Sequence, residues 1–520
     1  MFRRRNSASF PVALILTSAM LLAGSASGQT GQTGQTGQTD VESDVAALKA
    51  DNAAVREQLR KMEEQQKALL ELVERLQRRL EGTEAAPEAA AATPPATTAG
   101  SEAAAPSTAA AETSVPASLS ERILDRYQDG IVLAHNPDDA KVPLLLRFNN
   151  NTQVRYLNTT SSDDTFTDHL GGVRDVHVRN DITVNRSMFI LGGYIFDKRL
   201  RFSNTVWTSA GAASIVVAGN IGWQFNKGFT LTGGYTGVPG SRSLVNTFPY
   251  FTSTDRSMAD NFFRPGFTQG FWANGEPVKG LNYLAFVGNG LNTLNISANK
   301  IDTNLLFSGS VWWEPLGDYA EPGKSRNMYD DYFASDKTRI RVGTAYTRSR
   351  EDRFSNLDQS SPENTSIYNS DGVLAFSTGA FAPGVTVERA TYRMWAIDGG
   401  LKRSGLAING QYFFRWLDDF EADGPMPLDS TFDHGFEVSA SYFVIPRELL
   451  VYGRGSQVWG EFGDSWEYAG GVKWHFLATE RFWLNAELMR VDKAPYSGAF
   501  TPYAAGMSGW TPMVQTIVAF

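Results

Sequence analysis

Leu406-Ala407-Ile408-Asn409-Gly410-Gln411-Tyr412-Phe413-Phe414-Arg415-Trp416 is the most informative stretch of the chain. Leu406, Ile408, Tyr412, Phe414 and Trp416 share one parity, and Asn409, Gln411 and Arg415 share the other. Side chains on an extended strand alternate between faces, so this segment is a strand with one greasy side and one wet side. The pattern recurs. Leu144, Leu146, Phe148, Val154 and Tyr156 oppose Arg147, Asn149, Asn151, Gln153 and Arg155. Phe436, Val438, Ala440, Tyr442 and Val444 oppose Glu437, Ser439 and Ser441, and Val176, Val178, Ile182 and Val184 oppose His177, Arg179, Asp181 and Thr183.

A water-soluble sandwich also alternates, so one such segment decides little. Their number decides more. About sixteen candidate strands begin near residues 144, 173, 198, 214, 228, 266, 280, 303, 337, 389, 404, 434, 449, 465, 480 and 508. Connections after odd strands are mostly long (158–172, 238–265, 290–302, 351–388, 418–433, 491–507), and those after even strands mostly tight, as at Phe196-Asp197, Asn226-Lys227 and Lys402-Arg403. Membrane-spanning barrels sort their connections this way. Residues 315–336 break the rhythm: either a long excursion on the short-turn side, or a strand pair miscounted. Trp207, Trp223, Trp313, Trp416, Trp459 and Trp474 near strand ends fit interfacial belts. The expected fold class is all-β, a transmembrane antiparallel β-barrel of about sixteen strands (119–520), preceded by an α-helical coiled coil.

The front of the chain reads differently. Residues 1–28 have the charged Arg3-Arg4-Arg5, an apolar stretch and small residues of a secretory signal peptide. Residues 29–39 repeat Gly-Gln-Thr as a flexible spacer. From 40 to 81, Val45, Leu48, Val55, Leu59, Met62, Leu69, Val73, Leu76 and Leu80 keep heptad spacing, with Asn52 and Gln66 at core positions. Residues 82–118, rich in Ala, Pro and Thr, form a disordered linker. The chain has 47 basic and 56 acidic side chains and no cysteine. That excludes disulfides and Cys-ligated metals, and offers nothing to nucleic acid.

A barrel of this size leaves room for water inside, so the expected function is passive diffusion of small hydrophilic solutes and ions. Arg147, Arg155, Arg179, Arg199, Arg201, Arg339, Arg341 and Arg415 take the wet parity and are the pore-lining candidates, which leans the channel toward anions. Pairing with wall carboxylates such as Asp181 and Glu437 is the competing expectation. Arg242, Asp255, Arg256, Asp260 and Arg264 make 238–265 a candidate constriction loop if it folds inward, and a solvated loop if it does not. No catalytic motif, metal site or cofactor is expected; the five histidines lack ligand spacing. A structural role, with the barrel as an anchor and the coiled coil touching the cell wall, is the alternative class.

The last strand, Trp510 to Phe520, ends the chain on phenylalanine and resembles the closing strand of bacterial outer-membrane barrels. Further segments resemble the phosphate-selective porin O and P family over roughly residues 125–520. They are Arg179 and Arg186 before Gly192-Gly193, then Gly233-Gly234-Tyr235-Thr236-Gly237-Val238-Pro239, Asp255-Arg256-Ser257, Phe263-Arg264-Pro265-Gly266 and Gly288-Asn289-Gly290. The resemblance implies a trimeric sixteen-stranded porin in the outer membrane, with the coiled coil in the periplasm toward peptidoglycan and Arg256 on the third loop. The ten lysines of the body form no cluster. The resemblance therefore carries over the porin, and a phosphate or polyphosphate channel stays an alternative.

Overall fold

The computed structural model describes residues 127–520 except 138, 210–213, 246, 294–300, 302, 320–327 and 354–365, all within the unit Glu112–Phe520. The signal peptide, spacer, coiled coil and linker expected over 1–118 lie outside the described residues.

The strands are β1 (Ile131–His135), β2 (Leu144–Asn158), β3 (Thr165–Thr167), β4 (Val173–Asp175), β5 (Asn180–Ile195), β6 (Asp197–Ser209), β7 (Ser214–Asn226), β8 (Phe229–Gly237), β9 (Phe267–Val278) and β10 (Leu281–Gly288). There follow β11 (Leu306–Trp313), β12 (Arg339–Asp352), β13 (Val387–Arg403), β14 (Leu406–Ala422), β15 (Ser430–Ile445), β16 (Leu449–Gly460), β17 (Gly463–His475), β18 (Phe482–Asp492) and β19 (Gly509–Ala519). A short helix, α1 (Met258–Phe263), lies between β8 and β9. Sixteen strands, β2 and β5 to β19, close an antiparallel barrel through the β19–β2 pairing. β1 pairs with the first part of β2, where β19 has ended, and Phe520 exchanges backbone hydrogen bonds of 2.7 and 2.9 Å with Asn150. A closed ring leaves no unpaired edge.

Register assigns the two faces. Phe189, Val206 and Val217 share an outward row, while Met188, Trp207 and Val216 share an inward one. The outer face is greasy and bare: Ile182 is 75% exposed, Val217 76% and Phe271 64%. Trp207 is thereby corrected from the expected belt. It faces inward, 6% exposed, near Phe267 and Phe500.

Two local devices explain where alternation misleads. Between Gln153 and Val154 the pairing of β2 with β5 skips Asn185. Such a bulge reverses parity, so Ile182 and Val184 point out before it and Phe189 and Leu191 after it, while Asn185 and Arg186 are both buried. The segment at 173 is not wall. Val173–Asp175 pairs with Thr165–Thr167 as a hairpin in the first loop, turned by Asp168, whose carboxylate accepts from the Leu170 and Gly172 amides at 3.0 and 2.7 Å. The next barrel strand starts at Asn180. At 315–336 the strand count stands: the segment is a long excursion from the turn end, and its described residues 328–332 are buried.

Candidate functional site: the filled lumen

The third loop, 238–266, runs inside the barrel. Backbone inside a barrel needs polar partners, and the wet wall supplies them. Ser257 caps α1 by accepting from the Asp260 amide and also donates to Glu437. The Thr254, Met258 and Ala259 amides donate to Glu487 (3.1 Å), Glu467 (2.9 Å) and Ser456 (3.2 Å). The Arg242 amide donates to Gln411 (3.0 Å). Tyr392 donates to the Phe263 carbonyl at 2.5 Å, and Phe263 stacks on Phe413. Thus β13 to β18 hold the loop with wet-parity side chains.

All five constriction-loop candidates are buried. Asp255 lies 3.1 Å from Arg155 and 3.5 Å from Arg186, tying the loop to β2 and β5. Asp260 accepts from Ser241 and lies 3.7 Å from Arg256. Arg264 donates to Asn261 at 3.3 Å. The Arg242 guanidinium sits over Tyr329 at 4.3 Å and Tyr319 at 5.1 Å. There the loop from one end of the barrel meets the excursion from the other. The excursion has its own anchors: Lys473 donates to Asp330 (3.0 Å) and to the Phe251 carbonyl (2.9 Å), and Lys402 to the Tyr319 and Met328 carbonyls (3.0 and 2.8 Å). Burial alone would raise the Asp330 pKa, but Lys473, His475 and Lys402 outweigh it and hold the carboxyl below its ordinary range. Beside this segment lies a cavity of about 240 Å³ lined by Asp330, Asp331, Tyr332 and Lys402.

The eight wall arginines have varied placements. Arg155 and Arg415 are fully buried; Arg415 pairs with Asp433 at 2.6 Å and donates to the Phe262 and Tyr368 carbonyls, joining the third and fifth loops to β14. Arg341 pairs with Asp398 (2.7 Å) and lies over Trp312. Arg179 pairs with Asp181 at 2.8 Å and donates to the Ala499 and Thr501 carbonyls, joining the first and eighth loops. Arg147 and Arg339 donate to the Gln128 and Leu316 carbonyls near the turn end. Arg199 pairs with Asp197 at the exposed rim, over Trp223. Arg201 is exposed, and its row, Arg201–Gly222–Thr232–Trp272–Phe286, is an inward one.

Sequence reasoning missed Arg186, Arg454, Glu467, Glu487, Lys402 and Lys473. Arg454 bridges Glu467 (3.2 Å) and Glu487 (2.8 Å). Wet parity marks most of these residues; Arg186 was hidden by the bulge.

Together the loops divide the inner wall. On β12 to β19 and the loop-end part of β2 most inward residues are buried, among them Thr347, Met394, Phe413, Val458, Met489 and Gln515. Towards the turn end of β6 to β11 several stay partly open to solvent: besides Arg201, the half-buried Asn220, Gln224, Trp272, Asn274, Asn282 and Trp312, with Thr232, Phe286, Ser308 and Ser310 buried among them.

No family model and no curated protein matches the sequence. Among solved structures, the outer-membrane protein OmpT of Vibrio cholerae matches with a TM-score of 0.45 and 12% identity, covering 74% of this chain and 99% of that one. An anion-selective porin from Comamonas acidovorans matches at 0.43 and 11%, covering 72% and 99%. The outer membrane channel DcaP of Acinetobacter baumannii matches at 0.41 and 8%, covering 75% and 100%.

Proposed function

We propose that the chain is a trimeric outer-membrane porin that passes small hydrophilic solutes and ions through a narrow lumen with a weak preference for anions. The observation that carries this reading is the closed barrel with a bare apolar outside and a polar inside, an arrangement suited to lipid around it and water within. The anion preference rests on Arg201, the exposed inward cation of the open sector. It is kept weak because Arg155, Arg179, Arg341 and Arg415 each face a carboxylate, and for the same reason phosphate selectivity is not proposed. Trimer formation draws on the outer belt. Trp395, Tyr412, Trp416, Trp459, Tyr468 and Trp510 crowd the outside of β13 to β17 and β19, whereas the loop-end halves of β5, β6 and β7 carry no outward Trp or Tyr. Aromatic belts mark lipid-facing surface at the membrane–water boundary, so the arc that lacks one is the arc assigned to subunit contact.

The extensive filling of β12 to β19 favours a second reading, a structural anchor that conducts nothing. Planar-bilayer recording in a salt gradient separates the two. The porin gives stepwise current and a reversal potential of anion sign; absence of current from folded protein leaves the anchor.

A further inference from the structure

Three features of the molecule invite a ligand or a switch: the cavity beside Asp330, the His169–Asp371 contact between the first and fifth loops, and the partly open inner sector of β6 to β11. The last carries an inference. In register, Trp272 lies opposite Phe286, Asn274 opposite Leu284, and Asn282 opposite Trp312. These inward residues step down the wall toward the turn end. The rows of Trp272 and Trp312 are four strand positions apart, about 13 Å. Both indoles are half-buried and held: Trp272 against Phe286 with centroids 6.3 Å apart, Trp312 beneath the Arg341 guanidinium at 4.8 Å. Two primary amides accompany them, Asn274 one inward row below Trp272 and Asn282 directly beside Trp312, and Arg201 shares the upper row through Gly222 and Thr232.

We infer that this staircase is a binding subsite for a saccharide of one or two rings. The inference rests on the porin reading and names its solute class. A pyranose presents a flat patch of C–H bonds on one side and a rim of hydroxyls. The patch packs on an indole that is already fixed, so little side-chain freedom is lost. Each hydroxyl both donates and accepts, and so does each amide of Asn274 and Asn282. Arg201, three strands from Trp272 or about 14 Å, stands at the edge of the subsite and offers a single cation. A subsite for a small anion would instead gather several cations; the other nearby one, Arg341, is committed to Asp398.

The test uses the purified full-length chain in planar bilayers and in liposomes. Maltose added to a conducting channel interrupts the ion current in a saturable way, and liposomes swell faster in glucose than in sorbitol, which has the hydroxyls without the ring face. Trp272→Ala weakens maltose block about tenfold, the size of one lost stacking contact, and Trp272→Phe retains most of it. If Trp272→Ala does not fold, the double variant Asn274→Ala/Asn282→Ala carries the same expectation without touching an aromatic. Ion current that maltose leaves undisturbed, equal swelling in the two solutes, or block unchanged in the variants overturns the subsite while the porin stands. No ion current at all overturns the porin instead.

Discussion

Asp255 shows how much one side chain decides. It is buried between Arg155 and Arg186, so Asp255→Ala leaves two guanidiniums without their carboxylate. Removing one partner of a buried pair costs about 3–5 kcal/mol. The expected outcome is a markedly lower denaturation midpoint in detergent, together with a larger and noisier single-channel current as the third loop detaches; an unchanged midpoint and current would dismiss the anchor. Arg201 lacks such a role. Arg201→Glu is expected to leave stability within about 0.5 kcal/mol and move the reversal potential toward cations, read in the same salt gradient. Asp330 makes a pH prediction. Its carboxyl is held below the ordinary range, so its contribution to stability is complete above the unfolded value of about 3.9 and fades as pH falls through the folded one. Hydrogen-exchange protection at 328–336, taken relative to the intrinsic rate at each pH, should stay flat from neutral pH down to about pH 5 and fall below about pH 4; Asp330→Asn should be poorly protected throughout.

Among the elements, the seat of α1 is the most demanding. Gly435 faces inward on β15, and a Cβ there would lie 2.3 Å from the Gln457 carbonyl oxygen and 2.8 Å from the Phe263 ring. Gly435→Ala should cost about 1–3 kcal/mol through overpacking and increase proteolysis within the third loop; protection equal to wild type would show that the helix does not press on that wall. The strands themselves were readable from sequence because alternation and turn residues are local. Starts expected at 214, 228, 266, 280 and 449 fall at Ser214, Phe229, Phe267, Leu281 and Leu449. The failures were local too: the Asn185 bulge, and a hairpin at 165–175 that alternates as well as any wall strand does. The destination of the third loop was not readable. Its amides end on Glu467 and Glu487, more than 200 positions away in the chain, and no window of sequence holds both partners.

For the assembled barrel, trimer packing through β5 to β7 has a direct check, since the chain has no cysteine. A thiol crosslinker should join copies carrying Val206→Cys, on the bare arc, and leave copies carrying Val438→Cys, on the aromatic arc, as single chains; the reverse pattern would move the interface. Sequence pointed to the ring but not to its lopsided filling, because that depends on which loops turn inward. The lopsidedness has a mechanical consequence. β7 and β8 are paired only from Asn220 and Gly234 to Asn226 and Phe229, whereas β13 and β14 are paired from Val387 and Ala422 to Arg403 and Leu406, on the side stiffened by the packed loops. A cylinder strained by heat or by a thinner bilayer should therefore tear along one seam, between β7 and β8, while the reinforced side keeps its shape.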